Sequence, residues 1–350
     1  MLNDNINSSN LLTTAKSNGI EIVNTSPCIN VNESSLGSEA CNKIFCVLKW
    51  GTQGYQNEST PLGLIASGMD DGSVSIYNPS NIIKKNQKGL IYSTQKHNEQ
   101  ITCLAFNPKA TKYLLSGSKD EQIFVWDLTN PLKPTTLGLK NPANMDNNNV
   151  LSNQYKCIKG CSWNYIVPYF FATCDITGET QIFDLRRKGV AMTFKTKNMV
   201  ESQGIQWNPG NEKQLAVCYA NTTAEIWDLK QPKSPQFYLE NGHSKSVFDL
   251  SWSTLDSNIL LTSGEDGIGC LWNGSNGELM KQINFQVSNV KIDWSPLIEG
   301  YISTLVSNSN DINIYNIKHT CNNDPESLYD DIKDTESINK DDSDDSDDSD

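Results

Sequence analysis

Two sets of residues in this 350-residue chain have the makings of an active site. His97, Ser116, Asp120 and Trp126 follow one another at spacings of 19, 4 and 6 residues. His243, Thr262, Asp266 and Trp272 repeat those spacings of 19, 4 and 6. A hydroxyl, an imidazole and a carboxylate are the parts of a nucleophile, a base and the group that orients it. Repetition argues for another use. A buried carboxylate needs hydrogen-bond donors around it, and a structural network repeated along a chain supplies them. Other chemistry has little to work with. The chain has three histidines, and its ten cysteines never form a Cys-x-x-Cys pair, so a zinc site or redox motif is not expected. Scattered cysteines in a chain of this size read as buried free thiols of a reducing compartment. No P-loop, Gly-x-Ser-x-Gly or His-Glu-x-x-His motif occurs. The glycine-rich stretches SGMDDGS (67–73) and SGEDGIG (263–269) fit tight turns needing positive φ better than phosphate or calcium loops. No catalytic residue, metal or cofactor is expected.

The elements that must position these residues repeat. Aromatic residues at 50, 106, 163, 207, 252 and 294 each precede a second aromatic, at 77, 126, 183, 227, 272 and 315. The gap within a unit is 27 residues in the earliest and 20, 20, 20, 20 and 21 in the rest. All eight tryptophans fall on these two positions. The first aromatic is often followed by a turn, as in Phe106-Asn-Pro and Trp207-Asn-Pro. The second closes a short strand before Asp or Asn, as in VWDL (125–128), IFDL (182–185) and IWDL (226–229). Second aromatics recur every 43 to 57 residues. A repeat of about 40–45 residues ending in Trp-Asp is the mark of a WD40 β-propeller blade.

The expected fold is therefore all-β, a WD40 β-propeller of seven blades with an incomplete first blade. In well-formed blades of this fold a His, a Ser or Thr, an Asp and a Trp hydrogen-bond in series, which is the role expected of the two sets above. Other units are degenerate: Asn221 stands at the Asp position before Trp227, and Thr177 before Phe183. Repeat units lie near 10–24, 42–78, 101–128, 158–185, 204–229, 247–273 and 289–316, within a propeller spanning 1–320. The stretch Leu11–Asn24 aligns without gaps to Leu114–Asp127, with Ser17 in place of the Asp and Val23 in place of the Trp. Its first aromatic would fall at Asn3, so the first blade is expected to lack its innermost strand. Residues 25–42 and 129–156 read as polar loops outside the repeat.

Charge is unevenly placed. The net charge is −13, and residues 321–350 alone hold thirteen acidic residues against two lysines. That segment reads as an acidic disordered tail. Its Ser343, Ser346 and Ser349 sit among aspartates and are candidate phosphorylation sites in a contact with a basic partner. The rest is nearly neutral, without the basic footprint of a nucleic-acid binder. Arg186, Arg187 and Lys188 form a compact basic run, either an exposed loop after a strand or a contact for an acidic surface. No apolar run reaches signal-peptide or membrane-span length, so a cytosolic protein with at most peripheral membrane association is expected.

Three segments are more particular: LGLIASGMDDGSVSIYNPSNII (62–83), IKGCSWNYIVPYFFATCDITGETQIFDLRRKG (158–189) and VFDLSWSTLDSNILLTSGEDGIGCLWNGSNGELM (247–280). In this order they resemble the N-terminal propeller of the larger COPII outer-coat subunit, the Sec-thirty-one family. The resemblance covers residues 42–318 and, more weakly, 10–24. It implies a non-catalytic scaffold at cage vertices in endoplasmic reticulum to Golgi transport. It also implies pairing with the smaller WD40 outer-coat subunit and other copies of the coat, indirect contact with the inner coat, and residence at endoplasmic-reticulum exit sites. The family continues into a donated blade, a helical solenoid and a Pro-rich region that stimulates GTP hydrolysis. None is seen here, so the chain is expected to be a fragment, a misassembled gene product or a short relative lacking the rod-forming part. The competing reading is a generic WD40 adaptor that binds a peptide or protein in a ubiquitin-ligase or chromatin complex.

Overall fold

A computed structural model describes residues 11–16, 19–24, 35–52, 59–85, 87–130, 135–136, 156–187, 189–197, 199–285, 287–288, 290–295, 300–306 and 312–317. The described residues form seven antiparallel sheets, the blades of a propeller. Blade 1 holds Leu11–Lys16, Gly19–Asn24 and Ser35–Ala40; blade 2 holds Phe45–Gly51, Leu64–Met69, Ser73–Tyr77 and Leu90–Gln95. Blade 3 holds Ile101–Phe106, Tyr113–Ser118, Ile123–Asp127 and Thr135–Thr136; blade 4 holds Ile158–Trp163, Phe170–Asp175, Glu179–Asp184 and Gly189–Lys195. Blade 5 holds Ser202–Trp207, Gln214–Tyr219, Ala224–Asp228 and Phe237–Leu239; blade 6 holds Val247–Trp252, Ile259–Gly264, Ile268–Asn273 and Leu279–Asn284. Blade 7 holds Val290–Trp294, Tyr301–Val306 and Ile312–Asn316. The helix described, Pro79–Lys84, is capped by the Asn78 side chain and follows the third strand of blade 2.

Register explains the repeat. In blade 5, Trp207 lies opposite Leu215, and Leu215 lies opposite Trp227. In blade 6 the same row reads Trp252, Leu260, Trp272. The row is Trp50, Ile65, Tyr77 in blade 2 and Trp294, Ile302, Tyr315 in blade 7. Blade 1 enters it with Leu12 opposite Val23, so its three strands correspond to the second, third and fourth of a full blade. Second strands such as Leu64–Met69 and Gln214–Tyr219 are buried on both faces, because each sheet is covered by a blade on either side. Each described apolar cluster accordingly joins two successive blades. One unites Ala216, Ile226 and Leu239 of blade 5 with Leu250, Trp252 and Trp272 of blade 6. Another unites Ile20 and Ile22 of blade 1 with Ile65, Tyr77 and Ile82 of blade 2. At about 25 cal/mol per Å² of apolar surface, these contacts between blades are the main source of stability.

Two loop expectations are corrected. Ser35–Ala40, inside the stretch read as a loop, is the outer strand of blade 1; Gly37 lies so close to the Ile82 carbonyl that a Cβ would not fit. Thr135–Thr136, inside the polar insertion, is a short outer strand of blade 3. Among the described residues, blade 1 has no strand inside Leu11–Lys16, and blade 7 has none outside Ile312–Asn316. Lys49, on the first strand of blade 2, approaches Asp293, on the first strand of blade 7, at 3.8 Å, an ion pair between inner strands.

The turns carry their own chemistry. The Asp or Asn after the second aromatic accepts from the backbone two residues on: Asp127 from Thr129 at 3.0 Å, Asp228 from Lys230 at 2.9 Å and Asn273 from Ser275 at 2.9 Å. These are Asx turns, which lead the chain into the fourth strand. The turn between second and third strands needs positive φ; Gly267 has φ 79°, and Glu121 takes the same place in blade 3 at 67°. The asparagine after the first aromatic joins neighbouring blades. Asn107, Asn164 and Asn208 each donate to a carbonyl of the next blade, at Pro168 (2.9 Å), Glu212 (2.8 Å) and Ser257 (2.8 Å).

Candidate functional site

The two polar sets come together as their spacing implies, each within one blade. In blade 3, Trp126 Nε1 donates to Ser116 Oγ at 2.8 Å, and Ser116 Oγ lies 2.8 Å from His97 Nε2. His97 Nδ1 lies 3.0 Å from Asp120 Oδ1. The same carboxylate accepts from the backbone of Asn98 at 2.8 Å and Gln122 at 3.0 Å. In blade 6, Trp272 Nε1 donates to Thr262 Oγ1 at 2.9 Å, and Thr262 Oγ1 lies 2.8 Å from His243 Nε2. His243 Nδ1 is 3.3 Å from Asp266 Oδ1, and Asp266 also accepts from Ser244 N at 2.7 Å and Ile268 N at 3.1 Å. One tautomer satisfies every link: the indole donates to the hydroxyl, the hydroxyl to Nε2, and Nδ1–H to the carboxylate.

This arrangement leaves no reactive atom for a substrate. His97 is 1% exposed and His243 is 7% exposed, and both nitrogens of each ring are engaged. The hydroxyls are held between an indole and an imidazole instead of facing a cleft. Each network braces the loop entering a blade against the turn between its second and third strands. Burial alone would raise the Asp120 and Asp266 carboxyls, but their backbone and imidazole donors outweigh it and hold both below the usual range. Burial lowers His243, with the Asp266 attraction only partly opposing it.

A pH dependence follows. A histidine whose folded pKa is depressed contributes stability above its unfolded pKa, and that contribution is lost as pH falls. The window opens below about pH 6.5, where the unfolded imidazole takes up a proton that folded His243 resists. Urea unfolding at pH 7.5 and 5.5 should show a loss of up to about 1 kcal/mol. The loss should shrink in His243→Gln. An equal loss in that variant would remove His243 as its source.

Blade 5 contains a network that sequence reasoning missed. Val217 stands where blades 3 and 6 have their hydroxyl residue, so Trp227 Nε1 has no such partner. It donates instead to Glu225 Oε2 at 3.0 Å. Tyr219 Oη donates to the same oxygen at 2.7 Å, and Thr196 Oγ1 donates to Glu225 Oε1 at 2.9 Å. Glu225 is 3% exposed, and burial pushes its carboxyl up despite these donors. The available signal was a glutamate inside the buried strand AEIWD, two residues before the tryptophan.

The basic run fares differently. Arg186 grips Asp184 through Nε at 2.9 Å and Nη2 at 2.8 Å, and its guanidinium lies over the rings of Tyr169 and Phe170. Arg187 stays exposed, 3.8 Å from Asp184. Lys188 and the candidate phosphorylation sites Ser343, Ser346 and Ser349 lie outside the described residues. A second basic run, Lys84, Lys85 and Lys88, went unread and stands exposed around the end of the helix. Among the described residues no group of three His, Cys, Asp or Glu side chains is placed to hold a metal ion, and no helix is long and apolar enough to cross a membrane.

Comparison with known proteins places this geometry. The family model "WD domain, G-beta repeat" matches residues 88–127 and 234–273, the stretches containing the two complete networks. Protein transport protein Sec31B of Mus musculus is 30% identical over 260 residues, covering 72% of this chain and 21% of its own length. Sec31A of Danio rerio is 25% identical over 310 residues, covering 86% of this chain and 24% of its own. SEC31 of Dictyostelium discoideum is 26% identical over 339 residues, covering 85% and 24%. The chain thus spans under a quarter of the length of these relatives. Among solved structures, a chain of "COPII on membranes, outer coat vertex" superposes with a TM-score of 0.71 at 20% identity, over 87% of this chain and 79% of that one. A chain of "The structure of the COPII coat assembled on membranes" gives a TM-score of 0.71 at 20% identity, over 87% and 44%. At that identity the likeness is one of fold.

Proposed function

We propose that this chain, a seven-bladed WD40-repeat propeller homologous to the Sec31A and Sec31B transport proteins, is a non-catalytic scaffold of the COPII outer coat. One observation carries the reading. Similarity to the transport proteins runs through 72% to 86% of the chain, including the blades whose polar networks are degenerate. A propeller related only through its repeat pattern would be expected to match mainly where that pattern is complete.

The physical design suits a scaffold. Its polar groups of catalytic type are used inside the blades, and packing between blades makes a stiff body. What it offers to partners is surface. Outer strands present exposed apolar side chains, among them Leu90, Ile91, Val190, Leu279 and Met280. In this reading the propeller sits at cage vertices during endoplasmic reticulum to Golgi transport. It meets other copies of the coat and the smaller WD40 outer-coat subunit, and reaches the inner coat only indirectly. It binds no nucleic acid and inserts no segment into the bilayer. Its place is the cytoplasmic side of endoplasmic-reticulum exit sites.

Imaging tests this directly. The full chain, tagged and expressed at its native level, should concentrate at exit sites and disperse when coat assembly is blocked. A nuclear or evenly diffuse distribution would refute the scaffold reading and favour the adaptor.

A further inference from the structure

We propose that the groove beside the helix Pro79–Lys84 is the docking site of the chain's own acidic segment, residues 341–350. The groove has a volume of about 380 Å³ and is lined by Glu39, Asn81, Lys85, Gln87 and Lys88, among others. The lining lysines Lys85 and Lys88 are exposed, as is Lys84 in the last turn of the adjoining helix. Most lysines near carboxylates are already paired: Lys43 with Asp71, Lys112 with Asp127, Lys156 and Lys195 with Glu179. Lys84, Lys85 and Lys88 take part in none of the ion pairs among the described residues. The groove's own carboxylate, Glu39, accepts from the backbone N–H of Gly89 at 3.3 Å. The site is therefore net positive on a chain whose overall charge is −13.

The occupant follows from charge and connection. The run DDSDDSDDSD at 341–350 has seven aspartates in ten residues. The described chain leaves blade 7 at Ile317, directly after the third strand of that blade. The helix leaves blade 2 directly after its third strand, so both exits lie on the same face of the ring. Asp341 lies 24 residues beyond Ile317. As a flexible chain that length has a root-mean-square reach of about 27 Å, and about 80 Å if fully extended. That extended reach is several times the roughly 15–20 Å depth of a four-stranded blade at ~4.8 Å per strand. Tethering keeps the acidic run at an effective concentration in the millimolar range. Ser343, Ser346 and Ser349 alternate with the aspartates, and each phosphate would add about −1.5 to −2 charges, tightening the contact.

Zero-length carbodiimide cross-linking of the full chain, read by mass spectrometry, tests this. Carboxylates of 341–350 should join Lys84, Lys85 and Lys88 at least tenfold more often than the exposed lysines Lys230, Lys233 and Lys245. The yield should not depend on protein concentration. It should collapse in salt that shortens the Debye length to about 3 Å. In the triple variant K84Q/K85Q/K88Q the tail should lose its preferred partner, while the Lys43–Asp71 cross-link persists as evidence of an intact fold. Even spreading over all exposed lysines would overturn the proposal. So would cross-links that form only at high protein concentration, which would assign the groove to another copy's tail.

Discussion

Replacing Trp227 by alanine is expected to lower the unfolding free energy by about 4 kcal/mol, by analogy with other buried aromatic truncations. Trp227 is 1% exposed and stacks on Phe194 with ring centroids 4.2 Å apart. It belongs to the cluster that joins Ile182 and Phe194 of blade 4 to Ile205, Trp207 and Leu215 of blade 5. Two close-packed sheets cannot fold inward to fill an indole-sized void. Truncation also removes one of the donors holding Glu225, at a cost of about 1 kcal/mol. Trp227→Phe separates the two effects. Blade 4 carries Phe183 at the same place in its row, opposite Phe171 and then Trp163, so the site accepts a phenyl ring. That variant should cost about 1–2 kcal/mol, mainly the lost N–H bond. Urea unfolding measures both. A loss below about 1 kcal/mol in the alanine variant would mean that packing between blades is not what holds the ring.

Asp266→Ala is expected to cost about 3 kcal/mol, because it removes the acceptor of three N–H donors at once. Ser244 N, Ile268 N and His243 Nδ1 all converge on this carboxylate, which is 4% exposed. Asp266→Asn keeps acceptor capacity on one oxygen and should cost less. Glu265→Ala, one residue away and exposed, should stay within about 0.5 kcal/mol of the parent. On the scaffold reading, the same variants should leave any coat association of the folded protein unchanged, since the network is internal. An Asp266→Ala protein as stable as the parent that has lost a measurable turnover would contradict the structural role and restore the enzyme reading.

Much of the fold was legible because the ring imposes a row of large side chains on each blade. Trp207 and Trp252 sit at the ends of inner strands, and Trp227 and Trp272 in third strands, since both positions are buried between blades. Outer strands were not legible for the converse reason. Leu90–Gln95 and Leu279–Asn284 are mostly exposed, so their composition resembles a loop. Ser35–Ala40 was hidden in the same way. The His–Asp networks could be read because a hydrogen-bond chain fixes spacing as well as residue type. Glu225 could not, because it supplies its acceptor from within the third strand and follows no repeated spacing. Asn107 and Asn208 were read as turn formers, but their second role, bonding to the next blade as Asn164 also does, depends on which turns the ring brings side by side. Lys84, Lys85 and Lys88 were visible as residues, yet nothing in the order of amino acids places a groove beneath them.

The most direct test of the scaffold reading is quantitative mass spectrometry of proteins that co-purify with the full chain from its own cells. The reading predicts the smaller WD40 outer-coat subunit among the most enriched partners, with inner-coat subunits present at lower yield. Enrichment of a ubiquitin-ligase core or of histones, with coat subunits at background, would contradict it.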